Sequence, residues 1–369
     1  MAHRSRSIRS YAAYFGALML WMGTTAMHIP DGYLSPATSL VMLLMVLPFW
    51  AAGTRKIGGS RYARNVPLVA MLAAFSFVIM MFNVPLPGGT TGHAVGAALA
   101  GIVLGPEAAT IAVSIALIIQ ALLFGDGGVL AIGANCFNIA VVVPYVSVAV
   151  YRSVAGTAPL TSPRRALGAA LGGWLGLTGA ALLTGIEFGL QPLLFHTAEG
   201  APLYAPYPLA IAIPAMVLPH ALVASVVEGL LTALVLAFFQ RSNIAVLDAA
   251  EGTALAQEAA SPRRTLWPWI GLAILVVASP LGLLAPGTAW GEWGTNELSQ
   301  LGLHSIPAGL RQLSGLWGAP LENYRVPALG NTSLGYVLSA ALGVLVVALL
   351  VWLFMSLFPR RAISGHSGS

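Results

Sequence analysis

The sequence predicts an all-α polytopic membrane protein: a seven-span core followed by a two-span C-terminal hairpin, nine spans once an N-terminal leader is removed. Three observations carry that prediction. Hydrophobic residues make up 57% of the 369 residues and charged residues only 8%, against about 25% charged in a soluble domain. Mean hydropathy is +0.83. Apolar runs of about 20 residues recur along the chain, the length that crosses a hydrocarbon core. These runs are not the short alternating segments of a transmembrane barrel, and a water-facing globule is excluded. An isoelectric point near 9.6 would suggest nucleic acid in a soluble protein. Here the basic residues read as orientation signals, and no nucleic-acid partner is expected.

The first element is a leader. Arg4, Arg6 and Arg9 precede the apolar stretch Tyr11 to Met22, which Gly23-Thr24-Thr25-Ala26 follows. A basic start, a short apolar middle and a small-residue end describe a signal peptide over 1–26. Its apolar middle rises about 18 Å as a helix, short of a hydrocarbon core of about 30 Å. Cleavage after Ala26 leaves Met27 as an extracytoplasmic N-terminus.

Seven apolar segments follow at 36–53, 66–83, 93–106, 107–124, 129–151, 166–190 and 207–240, within a core domain spanning 27–247. The third is short, and Pro214 and Pro219 interrupt the seventh. Such spans are tolerated only where the backbone is packed in protein or lines a cavity. A polar linker, 248–265, leads to a two-span module over 266–358, with spans at 267–284 and 333–358 around an outer loop and a tail at 359–369. Trp290 and Trp293 in that loop read as interface anchors. The lone cysteine, Cys136, reads as a buried small hydrophobe.

Charge fixes the direction. Arg55, Lys56, Arg61 and Arg64 occupy the first loop; Arg152, Arg164 and Arg165 a later one; Arg241, Arg263 and Arg264 flank the linker; Arg360 and Arg361 end the last span. Nine crossings that start outside put all of these on the cytoplasmic side of the inner membrane, with the C-terminus cytoplasmic too, as the positive-inside rule requires.

Chemistry begins at the new terminus. A free amine on Met27, the deprotonated amide nitrogen of His28 and the His28 Nδ1 close a five- and a six-membered ring around a metal. Three nitrogens in a plane suit Ni(II) or Cu(II) and leave a fourth corner open. His93 is the candidate for that corner, because it follows the glycine-rich stretch Pro87-Gly88-Gly89-Thr90-Thr91-Gly92 at the mouth of the third span. Polar residues in or near spans supply further candidates: Asp31 as a turn residue or a support for a histidine tautomer, Asn135 and Asn138 as helix-packing groups, and His220 with Glu228 two turns on. No Gly-x-x-x-x-Gly-Lys-Ser/Thr run is present, so no ATPase activity of the chain's own is expected.

Met27-His28-Ile29-Pro30-Asp31-Gly32-Tyr33-Leu34-Ser35-Pro36 resembles the mature N-terminal signature of the CbiM/NikM family. Pro87–Gly96 resembles the family's second signature, Phe124-Gly125-Asp126-Gly127-Gly128 its third, and Val227-Glu228-Gly229-Leu230 with Thr232 its last-helix motif. The resemblance covers about 27–247. It implies the substrate-binding permease subunit of a cobalt or nickel energy-coupling-factor transporter. Met27, His28 and His93 would then be the metal ligands, and Co(II) or Ni(II) would be cargo rather than a prosthetic group.

The resemblance further implies a transmembrane coupling protein, two cytoplasmic ATPase subunits and, in some assemblies, a separate small auxiliary membrane subunit. It connects such uptake to cobalamin biosynthesis. Residues 266–358 are similar in layout to that auxiliary subunit, although Ala285–Trp293 replaces its Pro-Asp-Gly-Leu-Glu signature. Two other classes stay open. One is a secondary transporter coupled to protons through Glu228; the other is an intramembrane metalloenzyme using His220 and Glu228.

Overall fold

The computed structural model describes residues 28–57, 66–86, 90–242, 262–285, 290–300, 305–329 and 332–358. The leader, Met27, most of the linker and the tail lie outside the described residues.

Pro36 opens helix α1 (Pro36–Ile57) where its missing N–H costs nothing. Ser35 Oγ accepts the Thr38 N–H at 3.0 Å. Arg55 and Lys56 close α1, where cations complement the helix dipole. Helix α2 (Val66–Ile79) leads into an antiparallel pair, β1 (Val84–Leu86) and β2 (Thr90–Gly92), with Val84 opposite Gly92.

The short helix α3 (Ala97–Leu104) follows, then α4 (Pro106–Phe124), whose last five residues form a π-helical turn. Helix α5 spans Ile132–Ala155, α6 Pro163–Leu194 and α7 Leu209–Arg241. A π-helical turn at His220–Ala224 follows Pro219 within α7, because proline breaks the regular ladder of backbone bonds. The C-terminal part holds α8 (Pro262–Ala278) with a 3-10 extension at Ser279–Leu284, the short α9 (Thr295–Gln300) and α10 (Ala308–Leu313), and α11 (Ser333–Ser356).

Among the described residues, α1, α4, α5, α6, α7, the stretch Trp267–Leu284 and α11 are long and apolar enough to cross a membrane. Helix α2 is shorter at 14 residues. The expected third span at 93–106 contains only the 8 residues of α3, about 12 Å of helix. The reason is local. Gly96 (φ 67°) and Gly105 (φ 83°) sit on either side in backbone conformations that end a helix. Every residue of α3 is buried, so its incomplete backbone is packed in protein as a bilayer demands.

Helix α6 is the hub. Its glycines recur every fourth residue at 168, 172 and 176, on the face that meets α5. A Cβ on Gly172 would lie 2.6 Å from the Ser147 carbonyl oxygen. Ser147 Oγ instead donates to the Gly172 carbonyl at 2.9 Å. Small residues let membrane helices approach this closely, where lipid removes any hydrophobic drive to associate. Cys136 is buried, as expected.

The C-terminal module packs directly on the core. Gly343 of α11 lies against the Phe77 ring of α2, and Gly282 lies against the Met81 carbonyl. Tyr336 donates to that same carbonyl at 3.0 Å.

Candidate metal site

Residues 28–35 are pinned into one mouth of the bundle. Asn135, in the first turn of α5, accepts the Ile29 N–H at 2.8 Å and donates to the Ile29 carbonyl at 3.1 Å, copying a backbone partner. The Gly128 N–H adds a second donor to that carbonyl at 2.8 Å. A Cβ on Gly128 would come 2.3 Å from the Asp31 nitrogen, so only glycine admits this approach. Asp31 accepts from the N–H groups of Val129 and Leu130 at 3.0 and 2.8 Å. Tyr33 donates to the Trp293 carbonyl at 2.9 Å, and the Ser35 N–H reaches Gln191 Oε1 at 2.9 Å. Each neutral bond contributes about 1 kcal/mol net; together they fix the path of the N-terminal segment.

His28 is buried at the floor of a cavity of about 770 Å³, which His93, Asp126, Glu292 and Tyr324 also line. The His28 and His93 ring centroids are 5.1 Å apart. His93 is buried too, and its Nδ1 lies 3.1 Å from the Ala94 carbonyl. Behind it, Glu228 of α7 accepts from the N–H groups of Val95 (2.8 Å), Gly96 (2.9 Å) and Ala98 (3.2 Å). Those are donors that the start of α3 leaves without helical partners. A carboxylate there complements the helix dipole and sets where His93 stands.

His28 Nδ1 lies 2.7 Å from Asp126 Oδ1, while His28 Nε2 is buried with no hydrogen-bond partner among the described residues. Burial works against a charged His28, but the charge and hydrogen bond of Asp126 outweigh it and hold the histidine above its ordinary pKa. Burial likewise opposes ionisation of Asp126, yet His28 overrides it and the carboxyl falls to about 2. Glu292, from the C-terminal module, has an Oε1 that is buried and without a partner among the described residues. Burial and the Asp126 charge push its carboxyl up to about 8, against the pull of His28.

Among the described residues no three His, Cys, Asp or Glu side chains are grouped to hold a metal ion. Two imidazoles converge, and Met27, the expected donor of the amine, lies outside the described residues. A metal here has to draw on backbone nitrogen as well as side chains. For His28 Nδ1 to take part, Asp126 must release it.

Several expected roles are redistributed. Asp31 caps the 129–130 turn, and the carboxylate on His28 is Asp126. Asn135 holds backbone rather than a neighbouring helix. Asn138 does bridge helices, donating to Thr184 Oγ1 at 3.1 Å and Glu187 Oε2 at 3.0 Å. The Nδ1 of His220 contacts the Met216 carbonyl four residues back at 2.7 Å, and Glu228 faces α3 instead. Trp290 and Trp293 are buried rather than exposed as interface anchors; Trp290 packs at 4.6 Å from the Tyr207 ring. Tyr324, Gln120, Glu187 and Glu292 were not anticipated. An acidic residue among glycines, as in Gly125-Asp126-Gly127-Gly128, was the one available sign of Asp126.

A bundle of apolar helices with a polar chamber at one mouth defines a polytopic membrane protein. The chain belongs to the family described as the cobalt uptake substrate-specific transmembrane region, which matches residues 28–246. A PDGLE domain matches residues 264–360, despite the altered signature. The chain is 48% identical to the fused nickel transport protein NikMN of Rhodobacter capsulatus, over 93% of this chain and 100% of that protein. It is 44% identical to the probable fused nickel transport protein LarMN of Lactiplantibacillus plantarum, over 88% and 96% of the two chains. A crystal structure described as a transition metal transporter is similar to it at 50% identity and a TM-score of 0.55, over 59% of this chain and 95% of that one.

Proposed function

We propose that this chain is the substrate-binding membrane subunit of an energy-coupling-factor transporter that imports nickel or cobalt ions. The carrying observation is the pair of buried imidazoles, His28 and His93, with ring centroids 5.1 Å apart beside a fixed N-terminal segment. In this reading a signal peptidase cuts after Ala26, and the Met27 amine, the His28 amide nitrogen and imidazole, and His93 form a four-nitrogen set. A nitrogen-rich tetragonal set favours Ni(II), and three fused relatives that align along most of their length are named for nickel.

The N-terminal mouth faces outward and the C-terminus lies in the cytoplasm. A coupling protein and two ATPase subunits drive release inward; the chain itself performs no hydrolysis. Where the imported ion is cobalt, it feeds cobalamin synthesis. Glu228 acts as the anchor of α3, with both carboxylate oxygens taken by backbone N–H groups. That arrangement favours the binding-subunit reading over proton coupling through the same carboxylate.

Replacing His28 or His93 by Ala should weaken Ni(II) binding by at least about 100-fold, near 2.7 kcal/mol, in calorimetric titration of the purified protein. Unchanged titration curves for both variants would sink the proposal.

A further inference from the structure

The C-terminal module reaches the candidate metal site through the segment Trp317–Tyr324, and the contacts it makes there are specific. Helix α4 ends in its π-turn at Gln120–Phe124, which leaves terminal carbonyls without helical donors. Two of them are satisfied from the module: Trp317 Nε1 donates to the Leu122 carbonyl at 2.9 Å, and the Leu321 N–H donates to the Leu123 carbonyl at 2.9 Å. The next residues of the core are Gly125 and Asp126. Tyr324 then stacks on Phe124, with centroids 4.8 Å apart, and donates its hydroxyl hydrogen to Asp126 Oδ2 at 2.5 Å. Gln120 Nε2 donates to the Tyr324 oxygen at 2.9 Å and lies 3.3 Å from Asp126 Oδ2. The other oxygen of Asp126 holds His28 Nδ1.

The backbone points the same way. Asn323 (φ 53°) and Tyr324 (φ 57°) are consecutive non-glycine residues in the left-handed region, the only non-glycine ones there among the described residues. Such conformations persist where the surroundings over-determine them, and they cluster at functional sites. Ser339 Oγ of α11 donates to the Tyr324 carbonyl at 2.9 Å and braces the turn from behind. A loop needed only to join two helices has no reason to hold a tyrosine in this way.

We propose that Tyr324 is a positioning residue of the metal site, by which the C-terminal module fixes the Asp126 carboxylate and so sets how His28 is presented to the cargo ion. The inference rests on the reading of His28 as a ligand. It assigns the fused module a task at the site itself. One Asp126 oxygen stays tethered to Tyr324, so the carboxylate can release His28 Nδ1 to an arriving cation without leaving the cavity. Groups that orient a metal-bound histidine typically change metal affinity by about 10–100-fold when removed.

The test is Tyr324→Phe in the full-length protein, which keeps the ring stacked on Phe124 and deletes only the hydroxyl. Ni(II) binding would be measured by calorimetry, alongside the ligand-field absorption of the bound ion and thermal unfolding of the metal-free protein. The expected result is affinity lower by about 10–100-fold, a shifted absorption band at saturating Ni(II), one ion per chain as in the parent, and little change in thermal midpoint. Parental affinity together with a parental band would overturn the proposal. So would a loss wholly accounted for by a lowered thermal midpoint.

His28→Ala, run in parallel, separates the two readings. If it binds Ni(II) like the parent, the ligand assignment fails. If it does not bind while Tyr324→Phe matches the parent, only the positioning role fails. Should Tyr324→Phe not accumulate, Tyr324→Met also deletes the hydroxyl that reaches Asp126 and carries the same expected and overturning results.

Discussion

His28 shows how one side chain can be committed in two directions. Its ring is buried and its Nδ1 faces Asp126 at 2.7 Å, and that pairing raises the histidine above its ordinary pKa. A raised value means the proton is held more firmly, so protons compete with a metal at this ring to higher pH than at a solvated histidine. The amide and amine of a four-nitrogen set add to the same dependence, since ligands must lose their protons first. Ni(II) affinity should therefore climb between about pH 6 and about pH 8 in calorimetric titrations. Asp126→Asn, which removes the charge that raises His28, should move the midpoint of that climb to lower pH. A pH-independent affinity would contradict the assignment of His28.

At this scale the two histidines were legible in the sequence, because an ionisable residue at the start of an apolar chain or beside a glycine-rich turn is costly without a use. Asp126 was not. It is 98 residues from His28 in sequence, and the packing of the 126–130 connection against the N-terminal segment brings the two together. Asp31, nearer in sequence, was the natural guess and is instead occupied by the Val129 and Leu130 N–H groups.

At the scale of elements, the half-helix α3 is the part that apolarity alone misreads. The stretch 93–106 has the composition of a span, yet its first residues have no regular structure and its helix is eight residues long. What replaces the missing helical turn is Glu228, taking three backbone N–H groups from a distant helix. The sequence marked Glu228 as a buried charge in need of a partner. That partner is main chain, which carries no signature a reader can find.

Glu228→Gln keeps the shape but trades one anionic oxygen for an amide that cannot accept. Loss of a charge-assisted bond here should cost about 2 kcal/mol of stability, and the displaced start of α3 should weaken Ni(II) binding through His93. Thermal unfolding and calorimetry on the same sample check both effects. A variant as stable and as tight as the parent would mean that Glu228 does not anchor α3.

Over the whole molecule, the sequence conveyed the all-α membrane class, and seven of the nine expected spans hold helical stretches long and apolar enough to cross a membrane among the described residues. It did not convey how the C-terminal pair meets the core. Beside the helix contacts of Gly343 and Tyr336, docking uses Trp317, Leu321 and Tyr324, which have no periodicity and meet the core at Leu122, Leu123 and Asp126. Trp290 and Trp293 carried a signal that pointed to a membrane interface, and the folded chain buries them against Tyr207 and each other. Two modules that match separate family descriptions, 28–246 and 264–360, thus form one packed body around one cavity.

In the proposed function the chain's own start, once exposed, completes the metal site. Intact-mass and N-terminal sequencing of the protein purified from membranes, with Ni(II) titration of the same preparation, tests it most directly. The expected polypeptide begins at Met27 and binds one ion per chain. A protein that begins at Met1 and binds Ni(II) with the same affinity would contradict it.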